Sequence, residues 1–347
     1  MAKDAAAVSR RAGKPSIYDV AELAGVSHQT VSRVLNDHPN IRASTRQRVI
    51  EAMAQVRYAP SSIARALATS RTKRIGVLVD SPEKYGPGST MRGIEEAAHT
   101  AGYAVIASTV GDGAGLAVEA AVAHLRVQGV DALCVIAPRY STLDALRHAT
   151  DDVPVLLVKS EPEEDALTVA VDQYAGGVLA VDHLISLGHR DILHLAGPLD
   201  WVDARQRSRA CADRIAMEGF EVHAPIIGDW SSDFGYRVGR DAPEIDEVTA
   251  VFAANDQMAL GLLHGLHERG LRVPDDISVI GFDDLPDARH FLPPLSTVRQ
   301  DFHALGALAI TSLIAALEGD TQVASGMIEP RLVARRSTAP LRQPTQA

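Results

Sequence analysis

Five residues within nine positions, His28, Gln29, Ser32, Arg33 and Asn36, have side chains suited to the edges of base pairs. Arg bonds bidentately to guanine and Gln to adenine in the major groove. Ser32 and Asn36 suit phosphate or base-edge bonds. A second set is spread along the chain. Asp80, Asp172, Asn255 and Asp283 each stand at or just after a stretch that reads as a strand. Arg205 opens a helical stretch, and the only two tryptophans, Trp201 and Trp230, fall in strand-to-helix segments. Together these make a ring suited to a polyhydroxylated ligand. A guanidinium spans two neighbouring hydroxyls, Asn donates and accepts, and Asp accepts. A tryptophan stacks on the apolar face of a sugar. Each set also has a plainer reading: a solvated helix face for the first, helix caps at strand ends for the second.

The first set needs a helix to carry it. Val31, Val34 and Leu35 recur at helical spacing, which leaves the polar five outward. Val20, Leu23 and Ala24 give the preceding stretch the same stripe. Ser16 with Asp19, and Ser27, read as N-caps, and Gly25 as the left-handed residue between the two helices. Helix, glycine turn, helix is the shape of a DNA-reading helix-turn-helix. Ser44 with Gln47 has capping-box form, and Val49, Ile50, Met53 and Val56 give a third stripe. Tyr58 follows, fitting the core. Pro60 to Thr69 reads as one short helix, too short to be stable alone in water.

From Arg74 the period changes. Ile75 to Val79 is a near-continuous apolar run, as in a strand buried on both faces. Helical stretches and strands then alternate: Met91–Ala101, Tyr103–Ser108, Gly115–Gln128, Ala132–Ala137, Ser141–Ala149 and Val153–Val158. A second series runs from about Val169 through Gln173–Leu187, Ile192–Ala196, Asp203–Met217, Ala250–Ala254, Gln257–Arg269 and Ile277–Phe282. This implies two doubly wound parallel-sheet α/β subdomains, completed by a helix over Phe302–Leu317 and a strand over Met327–Val333. In open sheets of this kind ligands bind beyond the carboxyl ends of the strands, where the second set falls.

The formal charge of −10 hides an asymmetry. Residues 1–74 hold thirteen Lys and Arg against five Asp and Glu, or +8, and the rest of the chain carries −18. A basic head on an acidic body is the footprint of a phosphate-contacting domain. Arg71-Thr72-Lys73-Arg74 reads as a phosphate-proximal linker. No apolar run is long enough to span a membrane, and no signal region opens the chain. Cys134 and Cys211 sit in apolar contexts without metal spacing, so reduced buried thiols and a cytoplasmic protein are expected. The glycines over Gly111–Gly115 lack dinucleotide spacing. No catalytic or metal motif stands out, so neither an enzyme nor a metal or cofactor site is expected.

Tyr18-Asp19-Val20-Ala21 through Val31-Ser32-Arg33-Val34-Leu35-Asn36 resembles the helix-turn-helix of the lactose-repressor/galactose-repressor family of bacterial regulators. Tyr58-Ala59-Pro60, Leu187-Gly188-His189, Ala254-Asn255-Asp256 and Gly281-Phe282-Asp283-Asp284 resemble that family's core. The resemblance implies a mobile tail over 1–14, a DNA-binding domain over 15–59 and a hinge helix with linker over 60–73. An effector-binding and dimerisation body follows over 74–337. Its N-subdomain would span about 74–170 plus 301–326, its C-subdomain about 171–300 plus 327–337, and 338–347 would be a loose tail. The DNA-facing set would be Ser16, Ile17, Ser27, His28, Gln29, Thr30, Ser32, Arg33, Asn36, Tyr58, Ser61 and Leu67. By the resemblance Tyr58 lies near the DNA backbone, and Leu67 on the hinge helix wedges between base steps.

Arg205, Trp230, Asn255, Asp283 and Gln300 match effector-contacting positions of that family; Asp80 and Trp201 join them on the residue reading alone. Lys159 departs from the lactose-responsive pattern, which has an acidic residue there. The expectation is a homodimeric repressor, with a tetramer left open, that binds near-palindromic double-stranded operator DNA. A mono- or disaccharide would release it. A purine-responsive regulator, in which the effector strengthens DNA binding, is the nearest alternative. A sugar-binding transport receptor or a sugar-modifying enzyme on the same body fold is the alternative of another class.

Overall fold

Gly25, at φ +62° and ψ +41°, ends helix α1 (Ile17–Ala24), and its amide and the next return to carbonyls of the last turn. That backbone conformation is easy only for glycine. Ser16 and Asp19 cap the other end reciprocally, as a capping box. Helix α2 (His28–Leu35) follows three residues later, with the Ser27 hydroxyl accepting from the Thr30 amide at 3.2 Å. Helix α3 (Ala43–Val56) closes the head. Val20, Ala21, Ala24, Val31, Val34, Val49 and Ala52 form its core, with Tyr58 packed against it. Two expected core residues stay outside: Leu23 is 49% exposed and Ile50 50% exposed. Ala21 and Ala52 take the inward positions, because three short helices packed this closely admit small side chains at their crossing. The capping box expected at Ser44 does not form. Helix α3 begins two residues earlier, at Ala43 with Arg42 as its N-cap, and Gln47 donates instead to Glu51.

The computed structural model describes residues 15–35, 38–58, 71–110, 116–137, 139–146, 153–161, 166–320 and 325–341. Asn36, Ser61, Leu67, the hinge helix, the 1–14 tail and the Gly111–Gly115 loop lie outside these residues. The chain divides into two units between Thr72 and Lys73.

The second unit is a two-sheet α/β body. Strands β1 (Arg74–Asp80), β2 (Ala104–Val110), β3 (Ala132–Ile136), β4 (Val155–Val158), β5 (Leu167–Val171) and β11 (Gly326–Ile328) form one sheet, ordered β11-β5-β4-β3-β1-β2 and parallel throughout. Strands β6 (Ile192–Ala196), β7 (Ile226–Ile227), β8 (Ala250–Ala253), β9 (Ser278–Asp283), β10 (Ser296–Arg299) and β12 (Arg331–Val333) form the other. Its order is β12-β10-β9-β8-β6-β7, with only β12 antiparallel. The sheets and their cover helices define an N-lobe and a C-lobe. In the N-lobe lie α4 (Tyr85–Thr100), α5 (Leu116–Val127), α6 (Tyr140–Leu146) and α11 (Phe302–Leu317). In the C-lobe lie α7 (Gln173–Ser186), α8 (Val202–Met217), α9 (Ser232–Asp241) and α10 (Asp256–Glu268). The nearly all-buried runs of β1, β3 and β9 are what a two-sided parallel sheet requires.

Two expectations about the end of the chain are corrected. Met327–Val333 is two strands, because Glu329-Pro330 breaks the run and sends one piece to each sheet. Residues 338–341 do not hang loose. Thr338 bonds His183 and Ser296, the Ala339 amide donates to the Ser278 hydroxyl at 3.2 Å, and the Leu341 amide donates to the Leu187 carbonyl.

Candidate DNA-reading head and effector cleft

On α2 the side chains of His28, Gln29 and Arg33 are exposed while Thr30 and Ser32 are half-buried. Val31 and Val34 turn into the head. The Tyr18 ring on α1 lies 5.2 Å from the His28 ring, tying the start of α2 to the first helix. Ser16 and Ser27 are occupied as caps, Ile17 packs against the head's core, and Tyr58 is half-buried. The helix therefore presents one guanidinium and one carboxamide outward on a scaffold fixed from behind.

In the body, a cavity of about 260 Å³ lies between the lobes at the carboxyl ends of their strands. Of the expected effector residues, Trp201, Trp230, Asn255, Asp283 and Gln300 line it together. Trp201 precedes α8 and meets Trp230 edge-on, with ring centroids 5.4 Å apart. Trp230 sits at φ +70° and Asp283 at φ +110°, conformations that non-glycine residues adopt at a cost and that cluster at ligand sites. Asn255 caps α10 through Oδ1 and donates from Nδ2 to the Trp230 carbonyl at 3.1 Å. Gln300 donates to Asp283 at 2.6 Å and accepts from Gln173 at 2.7 Å.

Asp80 and Arg205 do not join them. Asp80 is fully buried, where Arg139 and the Thr142 hydroxyl hold its carboxylate inside the N-lobe. Arg205 points outward from α8, donating to the Leu199 carbonyl at 2.7 Å and lying over the Tyr140 ring. Asp172, at the start of α7, is a helix cap that accepts from the Ala175 amide.

The guanidinium in the cavity belongs to Arg207, two residues on. It is 4% exposed, donates to Gln173 at 2.9 Å and to the Ala254 carbonyl, stacks on Phe282 at 3.9 Å, and stands 3.8 Å from Asp283. Burial pushes the Asp283 carboxyl up to about 6, against the pull of Arg207 and Gln300. Burial likewise raises Asp203, which accepts from the N-lobe's Ser160 at 2.6 Å. Arg207, Gln173, Asp203, Gln257, Tyr85 and Lys84 are lining residues that the sequence reading did not assign. Lys159, read there only as a departure, also lines the cavity. Gln173 and Asp203 carry a faint signal, since each opens a helix just beyond a strand end. The floor is thus a connected polar chain, Gln173–Arg207–Asp283–Gln300, with two indoles beside it.

A base-reading helix on a small three-helix head, with a two-lobed body that encloses a polar and aromatic cavity, defines a ligand-responsive DNA-binding regulator. Residues 16–61 match the family described as bacterial regulatory proteins, lacI family, and residues 181–338 match the periplasmic binding protein-like domain. The lactose operon repressor of Escherichia coli (strain K12) is 36% identical over 329 residues, 93% of this chain and 90% of that one. The HTH-type transcriptional repressor PurR of Pasteurella multocida (strain Pm70) is 33% identical over 332 residues, 93% of this chain and 98% of that one. Among solved structures, the lac repressor dimer bound to operator and the anti-inducer ONPF superposes with TM-score 0.82 at 34% identity, covering 94% of this chain and all of that one. The complex of the transcriptional regulator CelR with cellobiose gives TM-score 0.70 at 29% identity, covering 93% and 99%. The chain belongs to the lacI family of bacterial regulatory proteins, and is a DNA-binding transcriptional repressor rather than an enzyme.

Proposed function

We propose that the protein holds a near-palindromic operator as a homodimer, in the bacterial cytoplasm, and releases it when a sugar enters the cavity between the lobes. The observation that carries the sugar reading is the polar floor from Gln173 to Gln300 lying beside two indoles. Such a floor donates and accepts along one edge of a pyranose while the indoles cover its apolar face. A cellobiose complex among the similar structures supports the same class of ligand. At about 260 Å³ the cavity lies just below the usual span of ligand pockets, roughly 300 to 1,000 Å³. Ser16, Ile17, Ser27, His28, Gln29, Thr30, Ser32, Arg33 and Tyr58 form the described part of the DNA-facing set in this reading.

Arg33→Ala is expected to lower the preference for operator over random duplex by roughly 1–3 kcal/mol, measured by fluorescence anisotropy at fixed salt. Arg207→Ala is expected to leave operator binding in place and abolish release by the effector. If Arg207→Ala is released as readily as the parent, the cleft assignment is wrong. The PurR relative gives the purine reading its support. A thermal-shift screen against sugars and purines separates the two, because a ligand at 100 times its Kd adds about 2.7 kcal/mol of stability. Stabilisation by purines alone would replace the sugar reading.

A further inference from the structure

Two tryptophans, each 8% exposed, stand in the wall of the cavity, and both are pinned. Trp230 is backed by Gly197, just beyond β6, where a Cβ would lie 2.1 Å from its Cη2. One edge of the indole therefore rests on bare backbone. The Trp230 carbonyl accepts from Asn255 at 3.1 Å.

Trp201 is held from both lobes. On the C-lobe side its ring packs in the core, its amide donates to the Pro198 carbonyl at 3.1 Å, and its carbonyl accepts from the Arg205 amide at 3.1 Å. On the N-lobe side Arg139 pairs with it as an antiparallel bridge, and the Tyr140 amide donates to the neighbouring Asp200 carbonyl at 3.3 Å. Two residues on, Asp203 accepts from Ser160 of the N-lobe at 2.6 Å. A ring packed in one lobe, on backbone stitched to the other, shifts only if the lobes part.

The planes of the two indoles meet at 66°. Two flat walls at that angle make a corner, and a pyranose stacked on one is stopped by the other. The polar chain from Gln173 to Gln300 floors the corner. Across from it, Lys84 of the N-lobe reaches the carbonyl of Asp229, the residue before Trp230, at 3.5 Å and spans the cleft. The enclosed space, about 260 Å³, is smaller than the roughly 300 to 1,000 Å³ of pockets that take drug-sized ligands.

We propose that the cavity is a single-ring chamber: its effector is a monosaccharide, and Trp201 is the side chain that shuts out a second glycosyl unit. This rests on the sugar reading above and narrows it. A fixed wall sets a clash against the larger ligand and asks nothing of the smaller one, which is discrimination by repulsion. A disaccharide enters only by parting the lobes and breaking the Arg139–Trp201 pairing, so part of its binding free energy is consumed in that opening.

The test is isothermal titration of the full chain with glucose, galactose, mannose and xylose, each set against disaccharides that contain it: maltose and cellobiose, lactose and melibiose, mannobiose, and xylobiose. At least one monosaccharide is expected to bind tenfold or more tightly than every disaccharide built from it. In Trp201→Ala that preference is expected to fall to within about twofold or to reverse, with the disaccharide binding more tightly than it does to the parent. That absolute gain separates an opened wall from a damaged site, which would weaken both ligands together. Trp201→Leu, which keeps an apolar side chain in the core, is expected to shift the preference the same way by a smaller factor. It stands in should Trp201→Ala fail to fold. A disaccharide that binds the parent as tightly as its monosaccharide would overturn the inference while leaving the sugar reading intact. So would folded Trp201 variants in which no disaccharide gains affinity. Binding of no sugar in the panel would overturn the inference and the sugar reading together.

Discussion

Arg207 and Arg205 lie two positions apart on one helix, yet one floors the cavity and the other faces solvent. At about 100° per residue, two positions rotate a side chain by about 200°, nearly to the opposite face. The sequence shows that a guanidinium opens α8, but the helix phase is set by Trp201 and Ala204 packing into the C-lobe core, which only the fold reveals. Asp80 misleads for a related reason. A carboxylate at a strand end looks the same whether it faces the cleft or an internal partner, and Arg139, far along the chain, takes it inward. Trp230, Asn255 and Asp283 were legible because their position at strand ends and their chemistry agree. Asp283 also yields a prediction. Its carboxyl is raised from the usual 3.8 to about 6, so the folded state binds that proton more tightly than the unfolded chain does. Its contribution to stability is therefore greatest at low pH and is lost as pH climbs from about 4 through about 6, by up to about 3 kcal/mol. Asp256 and Asp203, also raised by burial, act in the same direction. Asp283→Asn is expected to flatten this part of the pH dependence, gaining stability relative to the parent at pH 7.5 and not at pH 4. Urea midpoints at the two pH values check it; parallel curves would remove the raised carboxyl from the account.

Helices α9 and α10 illustrate what patterning conveys and what it hides. The sequence reading placed α10 but gave α9 no boundaries, because Ser232–Asp241 has few large apolar residues. Its burial comes from glycine instead. Gly235 and Gly239 on α9 face Gly261 and Gly265 on α10 so closely that a Cβ on Gly261 would lie 1.7 Å from the Ser232 carbonyl oxygen. One on Gly235 would lie 2.0 Å from the Met258 carbonyl oxygen. The pairing matters to the cleft, since Trp230 lies just ahead of α9, Asn255 caps α10, and the two are hydrogen-bonded. Gly261→Ala is expected to destabilise the body by about 1–3 kcal/mol or more through overpacking, and to weaken effector binding by displacing Trp230 from Asn255. Gly86→Ala, in α4, is the control. Nothing lies within 4 Å of its added Cβ, so stability should hold or rise by about 0.5–1 kcal/mol. Equal loss in both variants, by urea unfolding, would show that helix packing at α9–α10 is not special. The near-continuous apolar runs, by contrast, revealed the central strands β1, β3, β4, β6, β8 and β9, because a strand covered on both faces must be apolar along its length, while the short β7 and the polar β10 went unread.

At the scale of the body, the chain passes between lobes three times, at β5 to α7, β10 to α11 and β11 to β12. Three strands of backbone between two rigid sheets make a hinge, and side chains across the cleft decide how it rests. Ser160 bonds Asp203 at 2.6 Å, Glu161 accepts from Gln206 at 2.7 Å, and Lys84 reaches the Asp229 carbonyl. The cavity is walled by both lobes, so a ligand that touches both binds the approached arrangement more tightly and shifts the population toward it. Breaking a cross-lobe bond should therefore weaken the effector without touching it. Gln206 lies outside the cavity lining, and its partner Glu161 keeps the Tyr140 hydroxyl at 3.0 Å when Gln206 is lost. Gln206→Leu is expected to raise the effector Kd by roughly 5- to 150-fold, the range of a coupling of about 1–3 kcal/mol. Linkage demands a reciprocal change: the factor by which effector weakens operator binding must equal the factor by which operator weakens effector binding, in the variant as in the parent. Titrating each ligand in the presence and absence of the other measures both factors. An unchanged effector Kd in Gln206→Leu would mean that the lobes are held by their backbone crossings alone.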